Sequence, residues 1–295
     1  MTLLTDLAAW FDDVKAEFIL NFIDKNRWRM LLTGLGNTLL IALLACLIGI
    51  VLGVVVAILR TTWDNAGSGM RKGPARLIFA FLNRLCLIYT TIIRGTPMVI
   101  QLLIMYYIIF ATSDNGVMVA TLAFGINSGA YVSEIFRSGI MSIDKGQMEA
   151  GRSLGLNYLK TMWFVIAPQV LKNVLPTLAN EFITLLKETS VAGYVAVSDL
   201  TFAGNRIRGV TYSPFMPLIA VAIIYLILVM FLTRMVGKLE RRLRQGANRL
   251  GTQKILWAAR GPHGHRPAYC SRRKSRDHRP QRFGQEHLSA LPESA

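Results

Sequence analysis

The residues whose types and spacing suggest a specific task lie in one polar segment, residues 145–171, KGQMEAGRSLGLNYLKTMWFVIAPQVL. We predict a short helix whose start carries Glu149, because a carboxylate is stabilised near the positive end of a helix dipole. Gly155 is suited to end that helix in a left-handed conformation. Ala150 and Gly151 give the helix a low profile that a partner surface can approach closely.

A second set of polar residues interrupts the apolar parts of the chain. It consists of Asn127, Ser128, Tyr131, Glu134, Asn180, Glu181, Lys187 and Glu188. A charged side chain in the middle of a membrane costs at least about 2.5–3.5 kcal/mol, so it usually faces a bundle interior or a wet cavity. Two interpretations stay open: the residues line a transport path, or they form hydrogen bonds between helices or at a gate. The position of Glu134 near the inner end of its span favours the second.

The elements that must position these residues are long enough to cross a membrane. Hydrophobic residues make up 53% of the 295-residue chain, against roughly 45–50% in soluble domains. A span needs about 20 apolar residues, and uncharged runs cover 30–59, 95–113, 115–133 and 209–233. We predict an all-α, polytopic membrane protein with about five transmembrane helices. They are placed at about 34–59, 94–110, 117–138, 173–195 and 215–235, with 77–93 as an approach helix and 145–168 as a cytoplasmic helix.

The distribution of positive charge orients these spans. The loop 60–76 holds Arg60, Arg71, Lys72 and Arg76 against one acid, Asp64, which indicates the cytoplasmic side. The amino terminus is then outside, and the segment 145–171 and the basic end of the last span are inside. Arg206 and Arg208 fall in an outer loop against this rule.

The polar segment resembles the EAA loop of bacterial ABC importer permeases, E-A-A-x3-G-x9-I-x-L-P. Glu149-Ala150-Gly151 is followed after three residues by Gly155 and after nine more by Val165-Ile166-Ala167-Pro168. The blocks IRGTPMVIQLLIMYY, AYVSEIFRSGIMSIDKGQMEAGRSLG and PQVLKNVLPTLANEFITLLKETSV are similar to the polar amino-acid uptake branch, the histidine, glutamine and arginine type. The likeness covers about residues 30–245.

The resemblance implies a permease subunit that moves polar amino acids across the bacterial inner membrane. Glu149, Ala150, Gly151, Gly155 and Pro168 are then the residues that couple it to an ATPase, with Pro168 breaking the helix after the loop. The implied partners are an ABC ATPase dimer, a second permease subunit, identical or related, and a periplasmic or extracellular amino-acid-binding protein. ATP and Mg²⁺ bind the ATPase, so no catalytic, metal or cofactor site is expected in this chain.

The polar residues of the third and fourth spans are candidates for a path that carries a zwitterionic amino acid. A carboxylate would meet the ammonium group, and Lys187 or backbone amides would meet the carboxylate. The alternative function is a secondary amino-acid carrier or channel that works without an ATPase. Such a protein has no use for the spacing from Glu149 to Gly155.

Two terminal segments flank the permease domain, residues 30–245. Residues 1–29 interleave aromatic and charged residues, which predicts an amphipathic helix at the outer membrane surface. Residues 246–295 are basic and unlike the family. Codons compatible with 279–293 read one nucleotide later as GPSGSGKSTFLRCLN, a phosphate-binding loop. We interpret the tail as a disordered, frameshift-derived extension rather than a site for nucleic acid or metal.

Overall fold

The computed structural model describes residues 2–66 and 73–258, and all regular elements in these ranges are helical. The first half contains α1 (Thr2–Phe18), α2 (Trp28–Ala66), α3 (Pro74–Gly95), α4 (Met98–Ile104) and α5 (Gly116–Met141). A π-helical turn, Ile19–Ile23, and a 3-10 turn, Asp24–Asn26, connect α1 to α2. A second π-helical turn, Met105–Ile109, extends α4. The expected all-α class is confirmed.

The second half begins with the polar segment. It contains α6 (Lys145–Ser153), α7 (Tyr158–Thr161), α8 (Ala167–Glu188), α9 (Leu200–Thr211) and α10 (Phe215–Ala258). A π-helical turn, Met162–Ile166, joins α7 to α8, and a 3-10 turn, Thr189–Val195, follows α8. The tail from 246 was expected to be disordered, but α10 continues to Ala258. The remainder of that tail, with the frameshift interpretation, lies outside the described residues.

Four of the described helices are long and apolar enough to cross a membrane: Trp28–Asn65, Pro74–Gly95, Gly116–Met141 and Phe215–Leu243. The predicted second span at 94–110 is wrong in its boundaries. The segment expected to be an approach helix is α3, a span-length helix, and the chain breaks at Thr96-Pro97 before a short apolar helix at Met98–Ile109. The predicted fourth span corresponds to α8, which is amphipathic and ends at Glu188.

The break between α3 and α4 is held by one side chain. The Gln101 amide group donates hydrogen bonds to the carbonyl oxygens of Ile93 (2.7 Å) and Thr96 (3.1 Å) and to the Thr96 hydroxyl (2.7 Å). These bonds satisfy backbone groups that a helix end leaves without partners. The break is therefore a defined structural feature that a count of apolar residues cannot reveal.

Helices α2 and α5 form the centre of the membrane domain and approach each other through small residues. A Cβ added at Gly53 would lie 2.6 Å from Val132 Cγ1, and one at Gly49 would lie 2.8 Å from Ser128 Oγ. On the opposite helix, a Cβ at Gly125 would lie 2.8 Å from Ile48. Close approach through small residues is the usual way in which helices associate in lipid.

The connection between α1 and α2 packs on α9. Asn21 is fully buried, and its side-chain oxygen accepts a hydrogen bond from the Thr211 hydroxyl at 2.7 Å. Phe22 shares an apolar cluster with residues of α9 and with Val221 of α10. On α1 itself, Trp10 and Phe11 are each 59% exposed.

Candidate functional site

Helix α6 occupies the region where the docking helix was predicted, but Glu149 does not start it. Asp144 caps the helix, and its Oδ1 accepts a hydrogen bond from the backbone N–H of Gly146 at 2.7 Å. Glu149 lies in the middle of the nine-residue helix and is exposed. The predicted interaction of Glu149 with the helix dipole is therefore wrong, since the cap residue Asp144 holds that position.

Gly151 faces the interior of the chain rather than a partner. It is buried, and an added Cβ would overlap the Thr161 Cγ2 methyl and lie 3.0 Å from the Thr161 hydroxyl. The prediction that Gly151 gives an external surface a low profile is therefore wrong. The missing side chain instead lets α6 pack against α7, because there is no room there for a methyl group.

Gly155 ends α6 as predicted, with a φ of +82° in the left-handed region. The backbone N–H of Leu156 donates to the Gly151 carbonyl at 3.2 Å, and that of Gly155 donates to the Arg152 carbonyl at 3.0 Å. This pair of bonds is a typical helix C-terminal motif that favours glycine. Gly155 thereby fixes the turn from α6 into α7.

Pro168 does not break the following helix as predicted. The chain stays helical from Tyr158 to Glu188, and Pro168 lies in the first turn of α8 directly after the π-helical turn Met162–Ile166. A proline has no N–H to donate and crowds the preceding turn. The wider turn before it accommodates both effects without interrupting the helix.

Seven of the nine residues of α6 are exposed, and four of them lie at positions i, i+3, i+4 and i+7: Gly146, Glu149, Ala150 and Ser153. This spacing places them on one side of a helix. We call this set the α6 stripe. Leu154 follows it and is 84% exposed, which is unusual for a large apolar side chain in a polar segment. Leu154 thus adds an exposed apolar side chain directly after the stripe.

Behind α6 lies a cavity of about 620 Å³, which we call the α6 cavity. Charged residues from α2, α5 and α6 line it, among them Asp64, Arg137, Glu149 and Arg152. Thr61 also borders it, and the Thr61 hydroxyl is buried without a hydrogen-bond partner in the described part of the chain. The cavity therefore separates α6 from the ends of α2 and α5.

Four charged residues at the ends of α2 and α5 form a network of ion pairs. Arg60 contacts Glu134 at 2.6 Å, and Arg137 contacts Asp64 at 3.1 Å and Glu134 at 3.8 Å. The Arg60 side chain is 12% exposed. The Arg60–Glu134 pair is therefore more buried than the Arg137–Asp64 pair, which also joins α2 to α5. Of the predicted path residues, Glu134 thus has its charge compensated within the chain.

A second cavity, of about 440 Å³, lies between α5 and α8, and we call it the α5–α8 cavity. Tyr131 and Glu134 of α5 and Glu181 of α8 line it, which brings together three of the predicted path residues. Arg94 at the end of α3 also lines it, with its guanidinium 5.5 Å from the centre of the Tyr131 ring. Uncharged polar residues also line it: Ser138, Ser142, Asn173 and Thr177. Ile135, Gly139 and Val174 make up the remaining, non-polar part of the wall.

The other predicted path residues do not line this cavity. The Asn127 amide group donates to Gln101 Oε1 at 3.0 Å and so supports the break after α3. Ser128 is fully buried at the α2–α5 contact. Asn180 and Lys187 are exposed, and Glu188 is half-buried at the end of α8. Lys187 is therefore not placed to meet a carboxylate there.

Sequence reasoning missed Arg94 as a site residue and Arg60 and Asp64 as members of the ion-pair network. In the sequence, Arg94 belongs to the IRGTP block that resembles the family. Arg60 and Asp64 belong to the charged segment that orients the spans. A charge at the edge of an apolar helix is a signal for a functional residue, but its partners come from other helices. The fold is needed to identify those partners.

Comparisons with known proteins agree with this arrangement. Residues 66–245 match the family described as binding-protein-dependent transport system inner membrane component. The arginine transport system permease protein ArtQ of Bacillus subtilis is 36% identical over 72% of this chain and 92% of its own length. A putative glutamine transport system permease protein GlnP of Rickettsia bellii is 35% identical over 70% of this chain and 89% of its own length. The crystal structure of an amino acid ABC transporter with histidines superposes with a TM-score of 0.65 at 34% identity, covering 75% of this chain and 98% of the other.

Proposed function

This chain belongs to the binding-protein-dependent transport system inner membrane component family, and from this membership we propose how its helices and cavities serve transport. It is the membrane-spanning permease subunit of an amino acid ABC importer. ATP hydrolysis belongs to a separate subunit, so the chain is a transport subunit and not an enzyme. The family implies ATPase and binding-protein partners. Family membership removes the alternative of a secondary carrier or channel.

Helix α6 is the element that docks on the ATPase. The observation that carries this proposal is the α6 stripe with Leu154, since no described residue of this chain covers that surface and Leu154 is 84% exposed. The stripe lies in the segment whose spacing resembles the EAA loop, and the described part of the chain leaves it open to a partner. Glu149 and Ala150 contribute directly to the docking surface. Gly151, Gly155 and Pro168 act inside the chain by fixing the path of α6, α7 and α8.

Movement of α6 reaches the membrane domain through the ion-pair network. Arg137 lines the α6 cavity, Glu134 lines the α5–α8 cavity, and the two side chains are 3.8 Å apart. A shift of α6 on nucleotide binding changes the α6 cavity that separates it from α5, and Arg137 in the wall of that cavity passes the change to Glu134 in the wall of the α5–α8 cavity. That cavity is the part of the path that holds the amino acid, with Tyr131, Glu134 and Glu181 in its wall. Asn127, Ser128, Asn180, Lys187 and Glu188 contribute to helix packing or to the ends of the path.

The complete transporter contains two permease subunits, an ATPase dimer that binds ATP and Mg²⁺, and an amino-acid-binding protein outside. The protein is a multi-pass inner membrane protein. We place its amino terminus outside and the ends of α5 and α10 in the cytoplasm. The placement rests on the basic residues of the 60–76 loop and of the segment 238–244.

The docking role is tested by a bulky substitution on the α6 stripe. Ala150→Trp in the transporter expressed with its ATPase and binding protein should lower ATP-dependent uptake into proteoliposomes at least about tenfold, the effect of about 1.4 kcal/mol at an interface. The ATPase should also co-purify less well. Lys160→Trp, at an exposed position of α7 outside the stripe, is the control and should change both by less than about twofold. Normal uptake and co-purification of the Ala150→Trp transporter would reject α6 as the docking helix.

A further inference from the structure

The outward face of α3 carries a single arginine between apolar side chains. Residues three or four positions apart are neighbours on one side of a helix, and five such residues of α3 are exposed: Leu77, Phe81, Arg84, Ile88 and Ile92. We call this set the α3 stripe. Only 11% of the span segment of α3 is buried inside the chain, so the stripe faces lipid or another molecule. Apolar residues both precede and follow Arg84, so the charge interrupts the apolar surface instead of marking its end.

Arg84 lacks an opposite charge in its own chain. It forms no salt bridge with any residue in the described part of the chain. A charged side chain on a membrane helix usually pairs with another group. A guanidinium also presents its N–H donors in a planar fork that matches a phosphate or a carboxylate. The structure therefore indicates an anionic partner from another molecule.

The contacts between α3 and α5 place Arg84 near the inner membrane surface. In the orientation proposed above, α3 begins and α5 ends on the cytoplasmic side. The Tyr89 hydroxyl donates to the Ile126 carbonyl at 2.6 Å, which aligns the two helices. At a rise of about 1.5 Å per residue, Arg84 lies about 7–8 Å further in than Tyr89, and Glu134 lies about 12 Å further in than Ile126. A long arginine side chain extends towards the polar boundary, and so reaches the level at which Glu134 begins the ion-pair network.

A second permease subunit and a phospholipid are the two molecules that carry negative charge at this level. In an identical second subunit, the acids at the inner ends of α2 and α5 are already engaged, since Asp64 pairs with Arg137 and Glu134 pairs with Arg60. A phospholipid offers a phosphate at the membrane surface and acyl chains that cover apolar side chains on the same face. The alternation of apolar residues and one arginine along the α3 stripe therefore favours the lipid.

We propose that Arg84 binds the phosphate of an anionic phospholipid of the inner leaflet, whose acyl chains lie along the α3 stripe. Arg76, near the start of α3, adds a second positive charge on the cytoplasmic side, and clustered bases there favour anionic headgroups. The lipid holds α3, which ends with Arg94 in the wall of the α5–α8 cavity, so we expect uptake to depend on anionic lipid. The lipid site goes beyond the proposed function, and only this effect on uptake rests on it.

The test measures lipid binding to the purified permease–ATPase complex by native mass spectrometry. Palmitoyl-oleoyl phosphatidylglycerol is the anionic probe, and the matching phosphatidylcholine is the zwitterionic one. Phosphatidylglycerol should bind more tightly, and Arg84→Leu should weaken its first binding step at least about tenfold, as expected for loss of a hydrogen bond between charged groups. Arg84→Lys keeps the charge without the planar fork and should lose less affinity than Arg84→Leu. An excess of inorganic phosphate should not displace the lipid.

The matched control is Arg241→Leu, which removes an exposed arginine from the cytoplasmic end of α10. It makes the same change in charge at a solvated position, where salt screens interactions with other charges. It should therefore change the affinity for phosphatidylglycerol by less than about twofold. The number of permease subunits in each complex is read from the same spectra.

The effect on transport is measured as ATP-dependent uptake into vesicles of phosphatidylcholine alone or of an equal mixture with phosphatidylglycerol. The natural complex with its binding protein should transport at least about twofold faster in the mixture, because the anionic lipid holds α3. Arg84→Leu should remove this difference. Arg241→Leu should keep it.

Four binding results would overturn the inference. Equal affinities of the natural protein and Arg84→Leu would show that Arg84 does not hold the lipid, and an equal loss in Arg241→Leu would show general charge attraction. Displacement by inorganic phosphate would identify a phosphate site without a lipid. Loss of the second permease subunit from Arg84→Leu, with the lipid affinity unchanged, would assign Arg84 to the contact between subunits.

The uptake results separate the lipid site from the proposed function. Equal uptake by the natural complex in both kinds of vesicle would overturn the dependence of transport on anionic lipid. Absence of ATP-driven uptake by the natural complex in both would count against the proposed function, while the measured lipid affinities would still decide whether Arg84 holds a phospholipid.

Discussion

Helices α5 and α10 are both long enough to cross the membrane, but they relate to the rest of the chain in opposite ways. In their span segments, 67% of α5 is buried inside the chain, against 11% of α10. Yet α10 is the more apolar of the two, and α5 carries Asn127, Ser128, Ser133 and Glu134. In lipid, apolar surface gains nothing from being buried against protein, whereas polar and small residues gain contacts there. Between these two helices, burial therefore follows small and polar residues rather than hydrophobicity.

The glycines of the α2–α5 contact give the largest expected effect. A side chain at Gly53 would meet Val132 at 2.6 Å and the backbone nitrogen of Ser133 at 2.9 Å. Since backbone atoms cannot move aside cheaply, Gly53→Val should separate the helices and abolish the yield of monodisperse protein in detergent. Gly36→Val on the same helix, with no atom near the added Cβ, is the control and should behave like the natural protein. Similar yields of the two variants would contradict close α2–α5 packing.

A pair of phenylalanines tests the comparison of α5 and α10 directly. Phe124 of α5 is fully buried and Phe231 of α10 is 58% exposed. Phe124→Ala should lower the free energy of unfolding by about 3–5 kcal/mol, because it leaves a cavity in a packed interior. Phe231→Ala removes a side chain that packs little against the rest of the chain and should change the same quantity by less than about 1 kcal/mol. The measurement is unfolding by SDS titration in mixed micelles, and equal losses would show that α10 packs on protein as α5 does.

Much of the fold was predictable from the sequence, since the uncharged runs located α2, α5 and α10. The division at Thr96-Pro97 was not, because its stability comes from Gln101 and its contact with Asn127 of α5. For the candidate site, the spacing from Glu149 to Gly155 located α6 and the left-handed turn at Gly155. Periodicity could not reveal the partners of these residues.

The errors at the site share a physical cause. The absence of a side chain at Gly151 suggested that a partner protein approaches the helix there. The group that approaches Gly151 is instead Thr161 of the same chain. Lys187 was a candidate because it lies in the same predicted span as Glu181, and Arg94 was not considered. The cavity is instead assembled from α3, α5 and α8, and contacts between distant segments leave little trace in a single sequence.

The two ion pairs that join α2 to α5 differ in how far their side chains are buried. Arg60 and Glu134 have side chains that are 12% and 28% exposed, and Arg137 and Asp64 have side chains that are 29% and 47% exposed. Arg60→Met should cost about 2–3 kcal/mol of unfolding free energy, because it leaves Glu134 with only the longer contact to Arg137. Asp64→Asn should cost less than about 1 kcal/mol, as expected of an exposed pair. The same SDS titration measures both, and Arg60→Met/Glu134→Leu should recover most of the loss if the unpaired charge is its cause.

The smallest effect on stability is expected at α6, which lies outside the membrane helices and whose residues affect transport more than folding. Gly151→Ala would place a methyl group against Thr161 Cγ2, so α6 should shift away from α7 and ATP-driven uptake should fall about three- to tenfold, equivalent to about 0.6–1.4 kcal/mol. Unfolding of the membrane helices should stay unchanged within about 0.5 kcal/mol. The decisive comparison is Gly151→Ala/Thr161→Ser, in which the Cγ2 methyl is absent and only the hydroxyl remains. If the defect arises inside the chain, the double variant should regain uptake, whereas a Gly151 that contacts the ATPase would leave it as impaired as the single variant.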